Sequence, residues 1–132
     1  MKLVDTDFLI DRLREWVAGE AGPATTYLRE HDATSFAIST VSLLEFLEGY
    51  EHPRDTVALL GAYAQFPLTD RVACRGSWLR RRLRARGQMM GDFDVLIAAT
   101  ALDAGIPLVT GNVAHFQRVP GLELESYREG TA

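Results

Sequence analysis

Short, wholly apolar runs alternate along this chain with longer stretches in which apolar residues return every three or four positions. The first pattern reads as buried strand and the second as amphipathic helix. Lys2-Leu3-Val4-Asp5 opens with such a strand, and Leu9, Ile10, Leu13, Trp16 and Val17 mark one face of a helix. Gly22-Pro23 starts another helix toward Glu30, since proline suits a first helical turn. Phe36-Ala37-Ile38-Ser39 is a second buried strand, with Ser39 or Thr40 placed to cap a helix from about Val41 to Gly49.

Pro53 opens a helix through Val57, Leu59, Leu60 and Tyr63, and Phe66 to Thr69 reads as an extended connection. Asp70 is expected to cap an arginine-rich helix that packs through Val72, Gly76, Leu79 and Leu83 and stops at Gly87. From Asp92 to Ala104 few polar residues interrupt the run, which describes a largely buried helix ending at Gly105. Pro107 to Thr110 is the next strand, Asn112 to Gln117 one helical turn, and Leu122 to Leu124 a last short strand, with fraying expected from Glu129 to Ala132. Alternating strands and helices imply an α/β fold in three layers, with a short, central, mostly parallel sheet flanked by helices. One domain is expected to span residues 1–132.

Composition narrows the class. Apolar residues at 47% and charged residues at 24% argue for a globular chain rather than a disordered one. No apolar run approaches the roughly 20 residues that span a bilayer. Asp5, Asp7 and Asp11 interrupt the place where a signal peptide would be apolar, so no membrane association and a cytoplasmic location are expected. Cys74 is the only cysteine, which excludes an intrachain disulfide and a thiolate cluster. The net charge of -4 hides an asymmetry, because Arg71 to Gly91 holds seven arginines and no acid. Arg71, Arg75, Arg82 and Arg86 share one helix face and Arg80 and Arg84 another. Such a face fits either a phosphate backbone or solvent and paired acids.

In a parallel sheet, ligands gather beyond the carboxyl ends of the strands. Asp5 falls at such an end, and it reads either as a helix cap or as a ligand, with Asp7 the preferred cap. Glu45 lies just over one turn into its helix and reads either as an exposed glutamate, favourable near a helix N-terminus, or as an acid projecting partly inward, while Glu48 and Glu51 read as more exposed. Asp92 fits an N-cap after Gly91, whereas Asp94 shares a face with Ile97, Ala98 and Ala101 and needs a partner or a metal there. Clustered carboxylates repel by several kcal/mol unless a cation neutralises them, and oxygen donors suit a hard ion such as Mg2+ that positions water against a phosphodiester. Asn112 and His115 follow the next strand and approach the same edge. An amide there binds magnesium weakly and an imidazole suits manganese better, while a turn cap and a surface residue are the plain alternatives. His31 and His52, in polar connections, read as solvated.

Taken in order, Leu3-Val4-Asp5-Thr6-Asp7, Ile38 to Glu45 with Gly49, Met90-Gly91-Asp92-Phe93-Asp94 through Ala99, Leu108 to Asn112, and His115 to Leu122 resemble the PIN-domain ribonucleases, particularly the VapC toxins of type II toxin-antitoxin systems. The resemblance covers nearly the whole chain and rests on the order and spacing of these pieces. It implies Asp5, Glu45 and Asp94 as metal-binding, catalytic acids, with Thr6 and Ser39 as supporting hydroxyls. It also implies Mg2+- or Mn2+-dependent hydrolysis of RNA by an activated water, leaving a 5′-phosphate and a 3′-hydroxyl. A VapB-like antitoxin that reaches across the site and a homodimer are its implied partners. The chain departs from the family pattern where Asn112 and His115 stand in a stretch that often holds a fourth acid, which puts a second metal in doubt. Gly111 stands where an arginine is common.

Asp5-Thr6-Asp7 after a strand also resembles the nucleophile motif of haloacid-dehalogenase phosphatases. That chemistry needs a downstream lysine, and Lys2 is the sole lysine; a receiver domain fails on the same count. The alternative from another class is a noncatalytic RNA- or partner-binding domain that uses the arginine helix.

Overall fold

In the computed structural model, which describes residues 1–50 and 53–128, strands and helices follow one another as the apolar pattern requires. Five strands, β1 (Lys2–Val4), β2 (Phe36–Ser39), β3 (Ala64–Phe66), β4 (Leu108–Thr110) and β5 (Leu124–Ser126), form one sheet in the order β3-β2-β1-β4-β5. Every neighbouring pair is parallel, and Leu3 stands opposite Ala37 on one side and Leu108 on the other. The helices are α1 (Thr6–Ala18), α2 (Pro23–Glu30), α3 (Thr40–Gly49), α4 (Pro53–Leu60), α5 (Asp70–Ala85), α6 (Asp92–Ala104) and α7 (Val113–Phe116).

Successive strand residues point to opposite faces of a sheet, and this divides the core in two. Leu3, Ala37 and Leu108 pack with Leu79 and Leu83 of α5 and Val95, Ile97 and Ala98 of α6. Val4, Ile38 and Val109 pack on the other face with Phe8, Leu9 and Leu13 of α1, Tyr27 of α2 and Leu59 of α4. The result is three layers. Helix α3 serves both cores, through Val41 on one side and Phe46 on the other. Helices α5 and α6 approach closely because position 76 is glycine: a Cβ there would sit 3.1 Å from Leu96 Cδ2.

Several local expectations change. Ala64 to Phe66 is an edge strand beside β2 that the pattern did not assign, and Phe66, expected to begin an extended connection, closes it. Thr69, not Asp70, caps α5, its hydroxyl accepting from the Val72 N–H at 3.2 Å. Helix α4 ends at Leu60, and β5 starts two residues later than the pattern indicated. Gly91 is the N-cap of α6 and makes no side-chain cap bond, while Asp92 instead reaches Arg80 at 3.3 Å. His31 is not simply solvated: its ring stacks on Tyr27 at 4.0 Å and its Nδ1 lies 2.8 Å from the Tyr27 carbonyl. Glu51, His52 and Glu129 to Ala132 lie outside the described residues. Among those described, no helix is long and apolar enough to cross a membrane.

The arginine helix packs through Val72, Gly76, Leu79 and Leu83, as its sequence requires. Part of its outer surface is already engaged: Arg71 and Arg75 reach Asp103 of α6 at 3.1 and 3.7 Å, and the Arg82 guanidinium lies 5.0 Å from the centre of the Trp78 ring.

Candidate active site

Because the sheet is parallel, β1, β2 and β4 present their carboxyl ends on one side, and the residues that leave those strands meet there. Asp5 leaves β1 with its N–H still bonded to the Val109 carbonyl at 3.1 Å. Its side chain is then fixed twice. Oδ1 accepts from the Phe8 N–H at 3.0 Å, which makes Asp5 the cap of α1, and Oδ2 accepts from the Thr110 hydroxyl at 2.5 Å. Asp7, the cap expected from the sequence, lies exposed in the first turn instead, because a cap bonds the N–H three residues on and the helix begins at Thr6.

Asp5 is 4% exposed, and burial pushes its carboxyl up to about 7. The Thr110 hydroxyl and the Phe8 N–H oppose that rise, and the charges of Asp7 and Asp94 add to it. Glu45, on α3, accepts a 2.6 Å hydrogen bond from the Thr6 hydroxyl. Its carboxyl is also raised, first by burial and then by Asp94, Asp7 and Glu48, against the lowering effect of Thr6. Asp94, in the first turn of α6, has His115 Nε2 at 2.9 Å from its Oδ2. The structure thus brings Asp5, Glu45 and Asp94 to one pocket of about 320 Å3, together with Asp7, Glu48, Thr6, Asn112 and His115. Among the described residues, no lysine or arginine lines it.

Thr6 stands where a supporting hydroxyl was expected. Ser39 does not: its hydroxyl accepts from the Ser42 N–H at 3.0 Å, caps α3 and stays out of the pocket. Thr110 was missed, although a threonine that closes an apolar strand beside β1 is a readable signal. Asp7, expected as the cap, and Glu48, exposed as expected, both line the pocket. At Gly111, a Cβ would fall 2.7 Å from the guanidinium carbon of Arg128. Arg128 in turn reaches Asp11 at 2.7 Å and lies over the Tyr127 ring, so an arginine head group from the chain's end already covers the backbone at position 111.

The donors suit a hard divalent cation by type and charge: five carboxylates face a pocket without a basic lysine or arginine, and one of them is buried with only a hydroxyl and an N–H as partners. They do not yet suit it in distance. Among the described residues, no three Asp, Glu, His or Cys side chains stand close enough together to hold an ion as placed.

The model of the PIN domain family matches residues 2–122. Ribonuclease VapC19 of Mycobacterium tuberculosis is 34% identical over 127 residues, covering 93% of this chain and 98% of that protein. Ribonuclease VapC1 of Methanocaldococcus jannaschii is 30% identical over 128 residues, covering 95% and 85%. In fold, the chain superposes on VapBC2 of Rickettsia felis, crystallised on a DNA fragment from its promoter, with a TM-score of 0.81 at 22% identity over 95% of this chain and 97% of that one. A parallel five-stranded α/β sheet, acids collected at its carboxyl edge and relatives of this identity over nearly full length together make the chain a member of the PIN-domain family, of the VapC ribonuclease kind.

Proposed function

We propose that this chain is a divalent-metal-dependent endoribonuclease that acts as the toxin of a type II toxin-antitoxin pair, with Asp5, Glu45 and Asp94 as its catalytic, metal-binding acids. One observation carries the reading: three acids from sequence-distant elements face one pocket that contains no lysine or arginine. When bound there, Mg2+ or Mn2+ supplies the Lewis acidity and the activated water that phosphodiester hydrolysis needs. The chain's own contribution is positioning. The Phe8 N–H and Thr110 hydroxyl hold Asp5 in one orientation, and Thr6 holds Glu45. Held carboxylates keep their geometry as charge develops on the phosphate, so no reorganisation is needed at that moment.

The proposed path of the RNA backbone follows α5 and its C-cap, where Arg81, Arg82, Arg84 and Arg86 have no ion-pair partner among the described residues. A noncatalytic RNA-binding reading is the less favoured, because Arg71, Arg75 and Arg80 are already paired with acids. A VapB-like antitoxin is the proposed partner. A largely apolar groove of about 540 Å3 between α1 and α3, lined by Leu13, Val17, Phe46 and Tyr50, adjoins the acids through Ile10, which lines both, and can seat an apolar peptide segment. Homodimerisation, one domain over residues 1–132 and a cytoplasmic setting complete the proposal.

The deciding experiment is cleavage-site mapping on total cellular RNA after induced production of the chain, with purified protein in Mg2+, Mn2+ or EDTA alongside. Cleavage that needs a divalent ion and disappears in Asp5→Asn and Asp94→Asn is expected. Full cleavage by both variants, or cleavage unaffected by EDTA, would sink the assignment.

A further inference from the structure

Among the described residues, His115 is the imidazole in a pocket whose other polar groups are carboxylates, one hydroxyl and an amide. Its ring is well held. The backbone N–H bonds the Asn112 carbonyl at 3.2 Å, Arg118 Nε donates to the His115 carbonyl at 2.8 Å, and Phe116 packs edge-on to the imidazole at 5.1 Å. From that position Nε2 faces Asp94 Oδ2 at 2.9 Å. Two donors bound at right angles to one ion, with bonds of roughly 2.1 Å, are separated by about 3.0 Å. The pair therefore already has the spacing of neighbours in one coordination sphere.

The same separation fits a hydrogen bond, in which case the imidazole would steady Asp94 from outside the sphere. What favours direct ligation is where the ring stands. His115 lines the pocket itself, together with Asp5 and Glu45. With a quarter of its side chain exposed, it is accessible from the space that the acids share. Magnesium takes oxygen donors and accepts imidazole poorly, whereas manganese and the later first-row ions accept it readily.

We propose that His115 coordinates the catalytic cation beside Asp94 and thereby makes this site prefer Mn2+ to Mg2+. The inference rests on the reading that Asp5, Glu45 and Asp94 bind a cation at all. In a site of carboxylates alone the two ions compete on size and hydration. A nitrogen ligand adds a contribution that only Mn2+ collects, so the preference is written into residue 115.

The test uses the full-length chain, stripped of metal, and reads binding rather than cleavage. Mn2+ is titrated in, Mg2+ is used as competitor, and pulsed electron paramagnetic resonance reports whether a nitrogen is bonded to the manganese. Wild type is expected to show directly bound nitrogen and to hold Mn2+ over Mg2+. His115→Asp, which keeps a donor in place, is expected to lose the nitrogen signal and to lower the Mn2+/Mg2+ preference about tenfold, the low end of what a supporting ligand commonly contributes. Asp5→Asn serves as the control that bound Mn2+ is at this site. Manganese whose affinity falls in Asp5→Asn but which carries no nitrogen signal, or a preference unchanged in His115→Asp, overturns the role of His115 and leaves the acid site standing. No Mn2+ binding by the wild type overturns both.

Discussion

Replacing Asp5 by asparagine in metal-free protein is expected to stabilise the fold while removing its chemistry. The folded chain holds the Asp5 proton to about pH 7, whereas the ordinary value is 3.8. Stability from this group is therefore fully present below pH 3.8 and is lost as pH rises through about 7, because ionisation becomes easier once the chain unfolds. The carboxylate is 4% exposed, so little solvent screening softens this cost. Relative to low pH, where both states keep the proton, the fold is weaker by about 2 kcal/mol at pH 5, where only the unfolded chain ionises, and by about 4 kcal/mol at pH 8, where the buried carboxylate is charged. Asparagine still caps a helix well, so the bond to the Phe8 N–H survives, and the Thr110 hydroxyl can rotate to accept from the new amide. Urea unfolding followed by circular dichroism, in EDTA at pH 5 and pH 8, measures the difference between Asp5→Asn and wild type. Its growth by about 2 kcal/mol between those pH values, in favour of the variant, is the expected result. A difference that does not move with pH, or a variant less stable than wild type at pH 8, would refute the reasoning. Saturating Mn2+ is expected to restore the wild type's standing and to leave the variant where it was.

Three further outcomes follow from the packing and the charges. Thr6→Val removes the 2.6 Å hydrogen bond to Glu45 and is expected to weaken Mn2+ binding about tenfold, measured by calorimetry, with at most about 1 kcal/mol lost in unfolding stability. Gly111→Ala pushes the Arg128 guanidinium off its seat; a cost of about 1 kcal/mol that vanishes in an Arg128→Ala background would show that the contact carries the effect, and an unchanged cost would deny it. Changing Arg82 and Arg86 together to alanine is expected to weaken RNA binding and to flatten its dependence on salt by about two counterions, while an unchanged salt slope would place both residues away from the phosphate backbone.

How much of this was legible in the sequence depended on whether the deciding contact was local. Ser39 as a cap, Gly105 as a stop and the buried run from Val95 to Ala101 are set by near neighbours, and each stands where the pattern placed it. The strand Ala64-Gln65-Phe66 escaped because it is a short, half-exposed edge whose identity comes from β2, and no alternation marks it. The meeting of Asp5, Glu45 and Asp94 in one pocket was read from strand ends and resemblance, and the parallel sheet supplies the physical reason for it. What no local rule could give was the double duty of Asp5. Its cap bond is local, but its burial and its bond to Thr110 arise only when β4 lies alongside β1. The Arg128 head group over Gly111 is likewise invisible in sequence, since it depends on the chain's end returning past β4.

The sheet order puts β1 at the centre and flanks it with β4, so Asp5 depends on a partner 105 residues downstream. Contacts of that separation form late and slowly. Even with β2 paired to β1 and β3 to β2, the carboxyl edge stays open on one side until Leu108 to Thr110 joins the sheet beside β1. Asp5 thus takes its final orientation only when the sheet closes beside it, which ties assembly of the pocket to the docking of a distant strand rather than to any local segment.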